Sequence, residues 1–332
     1  MTGEGAAAGS NARHPVLVTG GAGFIGANLV RLLLERGYPV TVLDNLTAGR
    51  RRYVSNLPVK LVEGDILDSE LLARLVPGHG RVVHLAAQTG VPASLADPRR
   101  DCEVNVVGTL NLLEAARCSG QSVRFVFASS NAPLGRQQPP ATEDKAPLPI
   151  SPYGASKLAG EAYCLAYHGS WGLGTVALRF GNAYGPFSAH KNSVVAKFFK
   201  GVLETNRITI EGGGQQTRDF IHADDLCRAI VLALESEVGG EVFQIATGVE
   251  TSIAQLAAAV ERIVGSKPAT EHAPGRQGDI QRNYSLIAKA RQALGWQPEV
   301  DLATGLAETF RWFLAQPASL GGRTQATPES HP

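Results

Sequence analysis

Cysteine is scarce: Cys102, Cys118, Cys164 and Cys227 are the only four in 332 residues, with no Cys-x-x-Cys pair and no metal-ligand spacing. A disulfide-stapled fold and a cysteine metal site are therefore excluded, and the thiols read as reduced and mostly buried, in a reducing compartment. An excess of charge of either sign is missing as well. The net charge is +1, so no general attraction to nucleic acid or to an anionic membrane surface is expected. No run approaches the ~18 apolar residues that span a bilayer. Residues 1–12 lack the apolar core of a signal peptide. These absences lead to the expectation of a cytoplasmic protein. Residues 1–12 and 316–332, polar and rich in small residues, are expected to be disordered tails. The densest basic run, Arg50-Arg51-Arg52, is short enough to read as a solvated loop rather than a phosphate grip.

What is present is an alternation. Short apolar runs at Pro15–Thr19, Val40–Leu43, Val59–Val62, Arg81–Leu85, Val123–Phe127 and Thr175–Arg179 are separated by stretches of helical period, such as Phe24–Leu34, Leu110–Arg117 and Ser156–Tyr167. Apolar β-branched runs alternating with amphipathic helices predict βαβ units, hence an α/β fold with a doubly wound, buried parallel sheet of Rossmann type. Ligands in such sheets bind beyond the carboxyl ends of the strands. After Phe180 the pattern loosens. A loop is expected over Gly181–Ser193, helices over Val194–Leu203, Asp224–Glu235 and Ile253–Val264, and strands over Arg207–Ile210 and Val242–Ala246. The expected division is a cofactor-binding domain over 13–180 and a smaller substrate region over 181–315, interleaved with late elements of the main sheet.

Thr19-Gly20-Gly21-Ala22-Gly23-Phe24-Ile25-Gly26 follows the first strand and opens the first helix. Glycines there let the backbone turn tightly and let a pyrophosphate approach the helix N-terminus. Asp44 ends the second strand about twenty residues on, where a carboxylate can bond an adenosine ribose and would repel a 2′-phosphate, so NAD is favoured over NADP. Asp65 is placed either to reach an adenine amino group or to cap the next helix. Ala86-Ala87 would let the chain pass close to a cofactor. Asn105, a moderate helix former, either braces a neighbouring loop or faces solvent. His84, inside an apolar strand, reads as a satisfied core histidine. His222-Ala223-Asp224-Asp225 reads as a capped helix start rather than a metal cluster, and no metal is expected.

Tyr153 and Lys157 stand four apart in Ser151-Pro152-Tyr153-Gly154-Ala155-Ser156-Lys157, a spacing that puts both on one face of a helix. An ammonium beside a phenol favours the phenolate, which a tyrosine needs to act as a base near neutrality.

With the glycine run, Asp65-Ile66, His84-Leu85-Ala86-Ala87-Gln88, Asn105 before Gly108-Thr109 and Ser129-Ser130 in this order, the chain resembles the extended short-chain dehydrogenase/reductases. Arg179-Phe180-Gly181-Asn182-Ala183-Tyr184-Gly185-Pro186, Gln216–Phe220 and Arg276–Asp279 are similar to the nucleotide-sugar epimerase and dehydratase branch. The resemblance implies a bound NAD, a nucleotide-sugar substrate and a homodimer formed through helices, one carrying Tyr153. It extends the cofactor contacts to Asn45, Ile66, Leu85, Gln88, Phe180, Tyr153 and Lys157. It implies Ser130, Tyr153 and Lys157 as the catalytic set. On the substrate side it implies Ser94 and Ser130 at the sugar, Asn182 on the phosphate side, Val194 as a further substrate contact, and Arg218 and Arg276 on the diphosphate. Asp279 belongs to the same motif, and Asn283 matches the position that limits the bulk of a C2 substituent.

Departures from the family pattern narrow the reaction. The dehydratases and decarboxylases of this branch carry acidic residues just after the catalytic hydroxyl, where this chain has Asn131-Ala132. A Val-Tyr-Gly loop becomes Pro133-Leu134-Gly135, and Phe187-Ser188-Ala189 lacks a uronate-binding arginine. The expected activity is inversion at C4 of a UDP-hexose or UDP-N-acetylhexosamine through a 4-keto intermediate. The alternatives are a nucleotide-sugar dehydratase or decarboxylase, or a non-catalytic binder of NAD or a nucleotide sugar.

Overall fold

Seven parallel strands form the central sheet of the computed structural model, which describes residues 13–275 and 280–316. Both expected tails (Gln316 apart), Arg276 and Asp279 lie outside the described residues. The chain begins with β1 (Val16–Thr19), α1 (Phe24–Glu35), β2 (Val40–Asp44), β3 (Lys60–Glu63), α2 (Ser69–Leu75) and β4 (Arg81–His84). It continues with α3 (Val91–Ala96), α4 (Pro98–Cys102), α5 (Gly108–Arg117), β5 (Arg124–Ser130), α6 (Pro152–Trp171), β6 (Gly174–Phe180) and β7 (Asn182–Tyr184). Then come α7 (Val194–Thr205), β8 (Arg207–Glu211), β9 (Thr217–Arg218), β10 (Phe220–His222), α8 (Ala223–Glu235) and β11 (Glu241–Ile245). The last elements are β12 (Thr251–Ser252), α9 (Ile253–Val264), β13 (Ala269–Ala273), α10 (Ala288–Leu294) and α11 (Leu302–Leu314).

The strand order β11-β6-β5-β4-β1-β2-β3 reverses direction at β1, which pairs with both β2 and β4. A crevice therefore opens between the loops leaving β1 and β4, at their carboxyl ends. The period of two along a strand explains the two cores: Val16 and Val18 pack with α1 and α8, whereas Leu17 packs with α5 and α6 on the other face. A third core joins Phe198, Phe199, Leu256, Val260 and Leu306 from α7, α9 and α11.

Several boundaries differ from the sequence reading. β5 runs to Ser130 because Ser129 and Ser130 keep pairing with Arg179 and Phe180. α6 begins before Ser156, at Pro152, since Ser151 Oγ accepts the Gly154 N–H at 3.1 Å and proline suits the first helical turn. The expected loop 181–193 contains β7, which pairs with β10 from Asn182↔Phe220 to His222↔Tyr184. Three residues are too few to show a period. Cys102 and Cys118 are exposed, so only Cys164 and Cys227 are the buried thiols expected. Among the described residues no helix is long and apolar enough to cross a membrane.

Candidate active site

The glycine turn after β1 is built against the chain leaving β4. Gly20 has φ +70°, and a Cβ there would lie 2.7 Å from the Ala86 nitrogen. A Cβ at Gly26 would lie 2.3 Å from the Gly20 carbonyl oxygen, so glycine is required for α1 to come this close. The N-cap of α1 is Gly23, which supplies no side-chain cap, so the first-turn N–H groups of Phe24 and Ile25 are left to a ligand. Asp44 is buried at the end of β2, where its carboxylate accepts the Ala22 N–H at 3.0 Å and the Leu46 N–H at 2.8 Å. Burial pushes its pKa up and those two bonds oppose the rise. A cradle that admits no Cβ, an uncapped helix start and a buried carboxylate fit a dinucleotide with a free ribose hydroxyl.

Asp65 does not cap α2. Asp68 does, accepting the Leu71 N–H at 2.9 Å, while Asp65 accepts from the Leu67 N–H at 3.0 Å and from Asn45 Nδ2 at 2.9 Å. Ile66 is buried against Gly108, whose added Cβ would lie 2.5 Å from it. The Arg50–Arg52 run is exposed, and Arg51 pairs with Glu63.

Beyond β4, Leu85 donates its N–H to the Thr19 carbonyl at 3.1 Å, and Ala86 its N–H to Thr19 Oγ1 at 3.3 Å. Asn105 braces the loop, as one of its two readings held: Oδ1 accepts the Gln88 N–H at 2.8 Å and Nδ2 donates to the Gln88 carbonyl at 3.0 Å. Ala87 is held between these two anchor points. Asn105 sits in a π-helical turn, Glu103–Val107, a local widening that sequence patterns do not announce.

His84 is a core residue, as expected. Thr109 donates its hydroxyl to the Asn105 carbonyl at 2.6 Å, so it accepts the His84 Nε2 proton at 2.9 Å; Nδ1 then accepts from Thr19 at 2.8 Å. Burial, with the charge of Lys157, pushes the His84 pKa down to about 3. A histidine depressed in the native state binds more protons when unfolded. Stability is therefore retained above the unfolded value near 6.5 and lost as pH falls toward 3. Urea unfolding of wild type and His84→Gln at pH 7 and pH 5 should show a smaller acid-induced loss in the variant, whose amide can still accept and donate.

Tyr153, Lys157 and Glu161 project at intervals of four from α6, over the ends of β5 and β6. Lys157 is buried, and its Nζ donates to the Ala128 carbonyl at 2.8 Å and lies 4.8 Å from the centre of the Phe127 ring. Burial pulls its pKa down to about 8, while the charges of Asp101 and Glu161 push it upward. Burial pushes the Tyr153 phenol up to about 12; a hydrogen bond from Ser130 opposes the rise and Asp101 adds to it. Tyr153 keeps a partly exposed surface, which tempers that desolvation. Ser130 Oγ accepts the Ala132 N–H at 3.1 Å, so its own proton is directed to the phenol. Within the protein alone, burial above all therefore favours Tyr153 as a neutral phenol. Glu161 is locked beneath by Arg179 at 2.9 and 2.7 Å and by Ser129 at 2.5 Å.

On the substrate side the placement is looser. Ser94 is fully buried and donates to the Val91 carbonyl at 2.9 Å. Asn182, exposed, opens β7, and Val194 opens α7. Arg218 Nη1 donates to the Thr217 and Ile280 carbonyls, each at 2.7 Å. Asn283 meets Asn131, whose Nδ2 donates to it at 3.5 Å and to Ser285 Oγ at 3.1 Å. A small pocket at this corner is lined by Asn131, Leu134, Gly135 and Asn283. Phe180, at the end of β6, is buried beside this corner of the sheet. Asp219 organises the region: fully buried, it accepts from the Thr247 N–H and hydroxyl, the Gly248 N–H and the Ser285 N–H. Lys191 crosses to Thr89 at 2.9 Å, joining the loop after β7 to the loop after β4. Neither tie shows in the sequence, because each joins residues distant along the chain.

His222, Asp224 and Glu308 bring possible ligand atoms within 4.8 Å of one another. His222 Nδ1 caps α8 by accepting the Asp224 N–H at 3.4 Å, and Asp225 accepts from Arg228 and from the Glu299 and Val300 N–H groups. The helix does start here as expected, but the histidine caps it, and the aspartates stand in its first turn without capping it.

A doubly wound sheet with a glycine cradle at its switch point, and a Ser–Tyr–Lys group beyond β5, define a dinucleotide-dependent protein of the extended short-chain dehydrogenase/reductase type. Residues 16–246 match the model of the NAD dependent epimerase/dehydratase family, and the chain belongs to that family, whose cofactor is NAD. It is 40% identical over 307 residues to a UDP-glucose 4-epimerase of Mycolicibacterium smegmatis, covering 90% of this chain and 97% of the relative. It is 37% identical over 314 residues to a dTDP-glucose 4,6-dehydratase of Streptomyces niveus, covering 90% and 92%. The crystal structure of a Thermotoga maritima UDP-glucose 4-epimerase with UDP-glucose superposes with a TM-score of 0.86 at 37% identity, covering 90% of this chain and 98% of that one.

Proposed function

We propose that the protein is a NAD-dependent epimerase that inverts C4 of a nucleotide sugar, either UDP-glucose/galactose or a UDP-N-acetylhexosamine. One observation carries the choice over a dehydratase or decarboxylase. No carboxylate follows Ser130, and the side chain that stands there, Asn131, is tied to Asn283 and Ser285. Elimination or decarboxylation chemistry then lacks a neighbouring acid–base group. Asn283 is smaller than the tyrosine of strict hexose enzymes, which favours room for an N-acetyl group.

In this reading residues 13–180 hold NAD and 181–315 the sugar nucleotide, the two interleaved because β11 returns to the main sheet. The first turn of α1 would take the pyrophosphate and Asp44 the adenosine ribose, with Arg218 and Arg276 on the substrate diphosphate. When bound, NAD supplies a reversible two-electron oxidation at C4 and a positively charged ring. Tyr153, as phenolate, takes the C4 hydroxyl proton and returns it after the 4-keto sugar has turned its other face. Ser130 would bridge the phenol and the sugar oxygen, its one hydroxyl proton going to one of them at a time. Lys157 keeps a positive charge under the site and would bond the nicotinamide ribose. The field of a cation is what a phenol held near pKa 12 needs in order to ionise. A homodimer in the cytoplasm completes the proposal; Tyr163 and Trp171 on α6 leave exposed apolar surface for a second copy to cover.

Mixing the NAD-loaded protein with UDP-glucose, UDP-galactose and their N-acetyl forms, and following them by NMR, tests this. Interconversion of one C4 pair is expected. Release of a keto sugar or of carbon dioxide would replace the epimerase with the dehydratase or decarboxylase, and no change in any sugar would leave a non-catalytic binder.

A further inference from the structure

Asp101, on α4, is one of the most deeply buried carboxylates among the described residues, at 1% exposed. Its Oδ1 accepts from Asn105 Nδ2 at 3.0 Å. Its Oδ2 is buried and meets no hydrogen-bond partner among the described residues. Leaving a carboxylate oxygen dry and unpaired is costly, and a fold keeps such a group where something is gained from its charge. What lies around it is specific. The same Asn105 amide donates at 3.2 Å to Ser156 Oγ, and Ser156 donates in turn to the Tyr153 carbonyl at 3.1 Å. One buried chain of polar contacts therefore runs from Asp101 through Asn105 to the turn of α6 that carries Tyr153 and Lys157.

We propose that Asp101 is a positioning residue for the proton transfer: its carboxylate fixes Asn105 and Ser156 beneath α6 and supplies the negative charge against which Tyr153 must lose its proton. The inference rests on the proposed role of Tyr153. The groups that face the pair can be named from each element. Asp101 comes from α4, Ser130 from β5, His84 from β4, and Glu161 and Cys164 from further along α6. Ser130 favours the ionised phenol. His84 is neutral, and Glu161 is already engaged by Arg179. Asp101 is thus the negative charge that opposes the phenolate while supporting the Lys157 ammonium. Its effect adds to the burial that keeps the proton on Tyr153, so that proton abstraction needs positive charge beside the phenol, as in the loaded site.

The test labels tyrosine with ¹³C at Cζ and follows the Tyr153 resonance, assigned with Tyr153→Phe, against pH in the NAD-loaded protein. Asp101→Asn keeps an oxygen for the Asn105 amide and removes the charge. Its Tyr153 midpoint should fall by about one unit, the size expected for one charge at an effective dielectric near 20 over ~10 Å. An unchanged midpoint overturns the proposal. Asp101→Ser, which also keeps an oxygen for Asn105, reads the same midpoint by a second route. Failure of both variants to fold would make the carboxylate a structural group and overturn it as well. Turnover does not enter this readout, so the absence of activity on every sugar would sink the epimerase reading and leave the comparison of midpoints standing.

Discussion

Tyr153→Phe is expected to lower kcat for sugar interconversion by about 10³-fold or more, while leaving the fold and the bound cofactor in place. The substitution removes one oxygen and keeps the ring, so the packing of α6 on β5 and β6 is preserved. The lost oxygen is the one that would exchange a proton with the C4 hydroxyl, and the hydrogen bond that Ser130 makes to it is lost with it. The effect should fall on kcat rather than on KM, since in the proposed reading the substrate would be held by its diphosphate and not by the phenol. Steady-state rates measured with whichever C4 pair the wild type interconverts, alongside circular dichroism and cofactor content, check this. A variant with full turnover would remove Tyr153 from the mechanism.

Arg179→Met is expected to destabilise the protein by about 3–5 kcal/mol, because it strands Glu161 as an unpaired charge inside the sheet–helix interface. Both side chains of the pair are nearly inaccessible, at 4% and 2% exposed. The guanidinium satisfies both Glu161 oxygens, and Ser129 adds a third bond. Replacing both partners with apolar residues, as in Glu161→Leu with Arg179→Met, should recover much of the loss, since a dry apolar contact does not carry the desolvation cost of either ion. Chemical denaturation of the single and double variants gives the comparison. A single variant as stable as wild type would show that Glu161 is solvated or neutral there. Glu161 also lies four residues beyond Lys157 on α6, so the single variant is expected to disturb the charge on Lys157 as well.

The order of elements and the presence of a dinucleotide site are legible in the sequence, and for a physical reason. The strands Val16–Thr19 and Val40–Asp44 are buried on both faces and so read as unbroken apolar runs. The glycines at 20, 23 and 26 serve a backbone geometry that few other residues tolerate. Tyr153 and Lys157 are one helical turn apart, so their common face follows from spacing alone. Local chemistry writes itself into local sequence.

The tertiary structure decided what depends on residues far apart. Whether Asn105 meets solvent or Gln88 is decided by two bonds between a helix and the loop after β4. The ionisation of Tyr153 turned on burial, on Ser130 from β5 and on Asp101 from α4, rather than on its spacing from Lys157, whose ammonium is drawn to the Ala128 carbonyl. The short pairing of Asn182–Tyr184 with Phe220–His222, the knot of bonds at Asp219 and the Glu161–Arg179 pair arise only once the sheet has formed. Electrostatic and hydrogen-bonding energies depend on distance in space and on exclusion of water. Neither is a property of neighbours in the chain, so the proton-transfer group was visible in the sequence while the field that governs it was not.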